Sequence, residues 1–163
     1  MSQIESAFPT WPLKRPTRYV LGFLFSSNME RVALIRKERP NWQKGLLNGI
    51  GGHIEGNEAP IDAMGREFFE ETGIKVSIYD WKRFCVMEGS GFQVFCFKAC
   101  WKGSGVEPVM EKITDEIPCW YDLDYLHTQK PLMIPNLQWL IPMAKDSNDF
   151  DAEIQYKELK GDS

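Results

Sequence analysis

One stretch of the chain, Gly51 to Ile74, constrains the fold more strongly than any other part of the sequence. It reads GGHIEGNEAPIDAMGREFFEETGI. Pro60 suits the first turn of a helix, where its missing N–H has no intrahelical partner to lose. Gly73 suits the left-handed position that follows the last residue of a helix. We therefore predict a helix that begins at about Pro60 and ends just before Gly73.

The predicted helix has one apolar side and one acidic side, because successive residues are turned by about 100°. The apolar side, expected to pack on a core, carries Ile61, Met64, Phe68 and Phe69. The acidic side, at spacing i, i+3 and i+4, carries Glu67, Glu70 and Glu71. Like charges at this spacing repel one another. A hard divalent cation that takes oxygen ligands, Mg²⁺ or Mn²⁺, is the natural counter-charge; the alternative is a solvated acidic face.

The order of residues here resembles the signature box of the Nudix hydrolases at every defining position. From Gly52 it runs glycine, five residues, Glu58, seven residues, Arg66-Glu67, apolar Phe68, one residue, Glu70-Glu71, one residue, Gly73 and apolar Ile74. In that family, water attacks a phosphorus of a diphosphate linked to a further group. Metal ions clamp the diphosphate and neutralise the developing charge.

The resemblance also implies a role for each residue of the box. Glu67, Glu70 and Glu71 would ligate the metal, with one of them a candidate general base. The backbone carbonyl of Gly51 would complete the metal site. Arg66 would pair with Glu58 and hold the helix against the preceding loop, which orients the ligands without touching the metal.

The length of 163 residues predicts one domain. We divide the chain into an N-terminal arm (residues 1–16), a Nudix domain (17–146) and a polar C-terminal tail (147–163) that can contain an added edge strand, from Glu153 to Leu159. The net charge of −4 argues against a nucleic-acid polymer as partner. No apolar run of eighteen residues and no signal peptide are visible, so we expect no membrane association and a cytoplasmic monomer or homodimer.

Apolar runs bounded by turn residues predict the strands. They cover residues 18–25, 31–36 (a hairpin partner of the first), 46–51, 75–79, 81–88, 92–101 and 117–121, with a second helix over 135–145. Strands on both sides of one long helix favour a mixed sheet between helices, an α/β/α sandwich of the α/β class. The Nudix fold is a sandwich of this kind. We expect all four cysteines to be buried thiols of a reducing compartment.

Outside the box, the chain resembles the MutT-like branch, the 8-oxo-purine nucleoside triphosphate diphosphatases, from about Val20 to Lys145. The matching segments are LNGIGGHIEGNE, ITDEIPCWYDLD and IPNLQWLIP. Asn48 and Asn136 are candidates to read a purine edge, since an amide offers one donor and one acceptor side. Asn48 can instead be a turn residue before Gly49, and Asn136 can instead cap the second helix. Human-type members of the branch have an acidic residue at Asn136, which weakens the case for oxidised guanine.

Further candidates lie in the loops around the box. Trp42 and Trp139 can stack on a base, or can be ordinary packing residues. Lys37, in a basic loop with Arg39, can neutralise phosphate oxygens, or can be a solvated loop residue. Glu116, just before an apolar strand, is the candidate for a fourth carboxylate that ligates metal or acts as base, with Asp115 as the alternative.

The leading hypothesis is a Mg²⁺-dependent pyrophosphohydrolase that converts a (deoxy)nucleoside triphosphate, purine and plain or oxidised, to monophosphate and pyrophosphate. An alternative is hydrolysis of a nucleoside diphosphate linked to another group, such as ADP-ribose, NAD or a dinucleoside polyphosphate. A third is a nucleotide-binding module of the same fold without turnover, which the presence of Glu67, Glu70 and Glu71 disfavours.

Overall fold

The computed structural model describes residues 14–157, and the predicted arm therefore lies almost entirely outside the described residues. Eight strands and three helices occur in this part of the chain. They are β1 (Thr17–Phe25), β2 (Arg31–Arg36), β3 (Leu47–Asn48), β4 (Ile50–His53), α1 (Pro60–Thr72), β5 (Lys82–Gly89), β6 (Phe92–Cys100), β7 (Ile117–Asp122), α2 (Leu123–Gln129), α3 (Leu137–Lys145) and β8 (Ala152–Gln155).

The strands form one mixed sheet built around β1. Its main path runs β3-β2-β1-β6-β5-β8, with β4 paired to β1 and β7 paired to β2. β1 lies parallel to β6 along its whole length, from Thr17 opposite Phe92 to Phe25 opposite Cys100. On its other side, the first half of β1 pairs antiparallel with β4. This pairing places the loop that leads into α1 directly beside the central strand.

Alternate residues of β1 point into two separate cores. Phe23 belongs to a core closed by α2 and α3. Leu24 belongs to a core closed by α1, through Met64 and Phe68. The helices therefore cover both faces of the sheet, and the predicted α/β/α sandwich is confirmed. A Cβ at Gly22 would lie 2.6 Å from the end of the Met64 side chain, so the bare glycine lets α1 approach the sheet closely.

The predicted helix is present, with Pro60 at its start and Gly73 in the left-handed conformation at its end, φ 72°. The prediction that Phe69 faces the core is wrong, because its side chain is 51% exposed. Met64, Phe68 and Thr72 form the buried line, at a constant spacing of four residues. Phe69 is turned one residue, about 100°, beyond that line.

Two predicted strands differ from the structure. Residues 75–79 form no strand. There the Ser77 hydroxyl accepts the N–H of Tyr79 at 3.3 Å and the Ser77 carbonyl accepts the N–H of Asp80 at 3.0 Å, which makes a turn. The strand predicted over 46–51 is two strands with different partners, since β3 pairs with β2 and β4 with β1. The break falls at Gly49, whose N–H donates to the Asn48 side chain at 2.8 Å instead of to a neighbouring strand.

One further prediction is confirmed and another needs correction. β1 and β2 pair antiparallel as predicted, with Phe25 opposite Val32, and β2 also pairs with β7 over its whole length. The four cysteines are free, but Cys119 is exposed and Cys100 is partly exposed, so only Cys85 and Cys96 are buried as expected. Cys119 lies on the outward side of β7, between neighbours of opposite orientation.

The polar tail contains β8, which extends the sheet by pairing parallel with β5. Ion pairs of Lys82 with Asp149 and of Arg83 with Asp151 flank this pairing. Residues 158 and 159 of the predicted edge strand lie outside the described residues. No helix within residues 14–157 is long and apolar enough to cross a membrane.

The close pairing of β1 and β4 gives a first testable prediction. A Cβ on Gly51 would overlap the carbonyl oxygen of Val20 in β1. Backbone cannot yield as a side chain can, so we expect Gly51→Ala to lower the free energy of unfolding by about 1–3 kcal/mol or more. Urea unfolding followed by circular dichroism measures this change. An unfolding midpoint equal to that of the wild type would contradict it.

Candidate active site

The acidic side of α1 carries three carboxylates in different environments. The Glu67 side chain is 13% exposed, whereas that of Glu70 is 54% exposed. Glu71 is partly buried. The helix thus directs two of its three carboxylates toward the protein and one toward solvent.

Arg66 connects α1 to the loop before it. Its guanidinium donates to both oxygens of Glu58, at 2.9 and 3.0 Å, and to the carbonyl of His53 at 2.9 Å. It also donates to Glu67 at 2.8 Å and to Glu70 at 3.2 Å. The bonds from Arg66 lower the pKa of Glu58, and Glu58 in turn raises the pKa of the guanidinium. The paired residues Arg66 and Glu58 thus lie where the box predicts them.

The Glu67 carboxylate lies against the glycine loop. A Cβ built on Gly52 would come within 2.5 Å of the Glu67 carboxyl carbon, so only glycine leaves room for this carboxylate. The adjacent residue is Gly51, whose carbonyl is the candidate backbone ligand. His53, which follows, is exposed and stacks at a tilt on Tyr19, and only its backbone carbonyl contacts the site.

Glu71 is held from the far side by Thr114, whose hydroxyl donates to it at 2.9 Å. Burial raises the pKa of Glu71, and the negative charges of Glu116 and Glu67 raise it further. Burial likewise raises the pKa of Glu67, against the lowering effect of the Arg66 bond. Both carboxylates are thus in surroundings that disfavour an uncompensated negative charge.

Glu116 lies beside this cluster and is 7% exposed. One of its oxygens accepts from the Lys37 ammonium at 2.8 Å. The other accepts the backbone N–H groups of Glu38 and Arg39 at 3.2 and 3.4 Å. Asp115, the alternative fourth carboxylate, is exposed and pairs with Arg39 instead. The structure therefore places Glu116, and not Asp115, next to Glu71. The Lys37 ammonium is bonded to Glu116 there.

The candidate ligand atoms are all oxygens, from carboxylates and from the Gly51 carbonyl, and oxygen ligands fit a hard divalent cation. Within residues 14–157, no three acidic, histidine or cysteine side chains converge closely enough to form a complete metal site as they stand. Each carboxylate instead accepts from a donor of the chain itself. Arg66 bonds Glu67 and Glu70, and Thr114 bonds Glu71. The Glu67 carboxylate lies against Gly52, next to Gly51, whose carbonyl is the expected backbone ligand.

The residues proposed to read the base lie in two places. Asn48 donates to Gln43 at 3.4 Å and accepts the N–H of Gly49, which supports the turn interpretation. Asn136 precedes α3, but its side chain makes no cap bond, so the capping alternative is wrong. Its Oδ1 is buried and has no hydrogen-bond partner among residues 14–157, and its Nδ2 lies 3.9 Å from the sulfur of Met87. No side-chain hydrogen bond between described residues joins Asn48 to Asn136.

The two candidate tryptophans are accessible. Trp42 lies in a short 3-10 turn, Asn41–Gln43, and is 68% exposed. Trp139, in the first turn of α3, is 36% exposed and lies three residues after Asn136. Neither is a core residue, so packing in the core is excluded for both, whereas packing on a loop and stacking on a base both remain open.

Two features of the site escaped the sequence interpretation. Thr114 was not among the candidates, although it stands two residues before Glu116 in the segment ITDEIP. The close approach of Gly52 to Glu67 was also not foreseen. A hydroxyl two residues from a candidate carboxylate is a weak signal in sequence, because its partner, Glu71, is distant along the chain.

The comparisons with known proteins agree with this geometry. A model of the NUDIX domain family matches residues 15–140. No curated protein sequence matches the chain significantly. The crystal structure of the MutT protein from Bacillus halodurans superposes with a TM-score of 0.65 at 21% identity, over 86% of this chain and 90% of that protein.

Two other solved structures with the same fold bear on the range of relatives. A bifunctional NMN adenylyltransferase/ADP ribose pyrophosphatase from Francisella tularensis superposes with a TM-score of 0.69 at 16% identity, covering 82% of this chain and 41% of that one. The NUDIX domain of NrtR from Shewanella oneidensis, in complex with ADP ribose, gives 0.62 at 20% identity, over 89% and 97%. The family match spans most of the sequence, so the chain belongs to the Nudix family and is a Nudix hydrolase.

The raised pKa of Glu71 gives a prediction for stability without metal. A carboxyl whose pKa is higher in the folded state keeps its proton while the unfolded chain has lost it, so it destabilises the fold as pH rises from about 4.3 through the raised value. We expect Glu71→Gln, which removes the charge, to unfold at a higher urea concentration than the wild type at pH 7 with EDTA present. The difference should vanish below about pH 4.

Urea titrations at a series of pH values measure this difference directly. A variant less stable than the wild type at pH 7, or a difference that does not change with pH, would contradict the prediction.

Proposed function

We propose that the protein is a Mg²⁺-dependent pyrophosphohydrolase of purine (deoxy)nucleoside triphosphates, plain or oxidised, which releases the monophosphate and pyrophosphate. The observation that carries the proposal is the cluster of Glu67, Glu71 and Glu116, with Lys37 beside it, at the glycine loop. The sequence resemblance of LNGIGGHIEGNE, ITDEIPCWYDLD and IPNLQWLIP to the MutT-like branch supports the triphosphate as substrate.

In this proposal, Glu67, Glu70, Glu71 and the carbonyl of Gly51 hold the Mg²⁺, or Mn²⁺ in its place. When bound, the cation would neutralise diphosphate charge and make a bound water more acidic. Mn²⁺ is present with AMP in one structure of the Francisella tularensis neighbour. Glu116 is assigned to the same site as a further ligand or base.

The residues of the chain have separable tasks around that centre. Arg66, with its five bonds, holds α1 at a fixed distance from the glycine loop. A half-buried carboxylate with a raised pKa, such as Glu67 or Glu71, suits acceptance of the proton of the attacking water. Lys37 carries its ammonium at the edge of the cluster, where it can neutralise phosphate oxygens.

Base recognition is assigned to the start of α3, to the end of β3 and to the 3-10 turn that carries Trp42. The buried, unpartnered Oδ1 of Asn136 is an acceptor that an N–H on a base edge would satisfy. The Asn48 amide likewise offers a donor and an acceptor. The exposed rings of Trp42 and Trp139 are large enough to stack on a base. We place the enzyme in the cytoplasm, as a monomer or homodimer.

A second candidate function is hydrolysis of a nucleoside diphosphate linked to another group. One structural neighbour is a bifunctional NMN adenylyltransferase/ADP ribose pyrophosphatase, and another was crystallised in complex with ADP ribose. A turnover screen with Mg²⁺ over common and oxidised triphosphates, ADP-ribose, NAD and a dinucleoside tetraphosphate separates the two. Pyrophosphate release from a purine triphosphate supports the first function, and activity on ADP-ribose or dinucleotides alone supports the second.

Removal of one box carboxylate tests the assignment of the site. We expect Glu70→Gln to lower turnover by several orders of magnitude, because the cation loses a charged ligand while the fold keeps all its core contacts. Asp62→Asn is the matched control, since Asp62 is an exposed carboxylate on the same helix outside the cluster. Full activity of Glu70→Gln would show that the metal site is elsewhere.

Asn136 provides the test of base recognition. The unpartnered Oδ1 loses no protein hydrogen bond in Asn136→Ala, so we expect little change in stability. If the amide binds the base equally in ground and transition states, KM for the preferred nucleotide should rise about tenfold or more with kcat nearly unchanged. Steady-state kinetics on purine and pyrimidine triphosphates, with Asn57→Ala as an exposed control, measure this. Equal KM values for variant and wild type would remove Asn136 from the site.

A further inference from the structure

Thr114 joins two carboxylates that come from distant parts of the chain. Its hydroxyl donates to Oε2 of Glu71 at 2.9 Å and accepts the backbone N–H of Glu116 at 3.2 Å. An ionised carboxylate only accepts and a backbone amide only donates. The single hydroxyl proton therefore has one possible direction, toward Glu71.

The segment around Thr114 is fastened to the same end of α1. The N–H of Glu111 donates to the carbonyl of Thr72 at 3.0 Å. Ile113 lies close to Gly73, at 3.4 Å from the position that a Cβ there would take. On its other side, Thr114 leads directly into Glu116 and β7. The hydroxyl thus sits where the carboxyl end of α1 meets the segment that delivers Glu116.

Glu71 needs such a contact more than its neighbours on the helix. Arg66 bonds Glu67 and Glu70 but makes no bond to Glu71. A glutamate has a flexible side chain, and two nearby negative groups, Glu67 and Glu116, repel its carboxylate. The Thr114 hydroxyl is the donor that directs this carboxylate inward instead of toward solvent.

We propose that Thr114 is a positioning residue of the metal site, which holds the carboxylate of Glu71 in place for the cation and fixes its separation from Glu116. The inference rests on the metal site of the proposed function and goes beyond it, because Thr114 lies outside the box. Residues that hydrogen-bond a metal ligand typically change metal affinity by about 10–100-fold when they are altered.

Mn²⁺ binding, followed by the electron paramagnetic resonance signal of the free ion, tests this role without any nucleotide. Thr114→Val keeps the shape and removes the hydroxyl, and we expect its Kd for Mn²⁺ to rise about 10–100-fold. Thr114→Ser keeps the hydroxyl and should bind within a few-fold of the wild type. Thr128→Val is the matched control, since the Thr128 hydroxyl bonds only a carbonyl of α2, at 2.8 Å.

The pattern of the two variants decides the matter. Equal Mn²⁺ affinity of Thr114→Val and the wild type would overturn the proposal. So would equal weakening in Thr114→Val and Thr114→Ser, because the hydroxyl would then not be the cause. If the valine variant folds poorly, Thr114→Ala, which also lacks the hydroxyl, takes its place in this comparison. A wild type that binds no Mn²⁺ would overturn the metal site and this role together, whereas failure to hydrolyse triphosphates leaves the binding test intact.

Discussion

The structure depends above all on the attachment of α1, a helix with three carboxylates on one side, to the sheet. The Arg66 guanidinium holds it by donating to Glu58, to Glu67 and to the carbonyl of His53. The apolar side of α1 is held by Met64 and Phe68 in the core. The helix is therefore fixed on both sides, by packing on one and by a charge network on the other. The Glu67 carboxylate is therefore held against the glycine loop by Arg66.

The second constraint is close approach of other groups to the backbone, which glycines allow at three positions. The end of the Met64 side chain lies against Gly22, the backbone of β1 against Gly51, and the Glu67 carboxylate against Gly52. These contacts bring the sheet, the loop and α1 close together. The missing side chains at Gly51 and Gly52 are therefore as necessary for this arrangement as the carboxylate of Glu67.

Much of the fold was predictable because it follows from local chemistry. Pro60 and Gly73 mark both ends of α1. The turn residues Gly89, Ser90 and Gly91 between two apolar runs predict the β5–β6 hairpin that is found. The failures share a cause in contacts that periodicity does not report. Ser77 forms a turn with its own neighbours, and the Asn48 side chain takes the N–H of Gly49, so two apolar runs are not the strands that their composition favours.

The site divides in the same way. The box gives the positions of Arg66, Glu58 and Glu67 correctly because they lie on one continuous stretch. Sequence alone left Glu116 and Asp115 unresolved, since they are adjacent and chemically alike. The structure separates them by burial, with Glu116 at 7% exposure and Asp115 at the surface. Thr114 was missed because its partner lies in another element, and only the tertiary fold shows which hydroxyl meets which carboxylate.

The parallel pairing of β1 with β6 has a consequence for how the molecule is assembled. Thr17 meets Phe92 only after the whole of α1 and β5 has been synthesised. Contacts so remote along the chain close slowly, whereas the β5–β6 hairpin can form locally. During synthesis α1 therefore leaves the ribosome after β1 to β4 but before β6, the parallel neighbour of β1, exists. Glu116, whose charge acts on Glu71, is made later still, after β6.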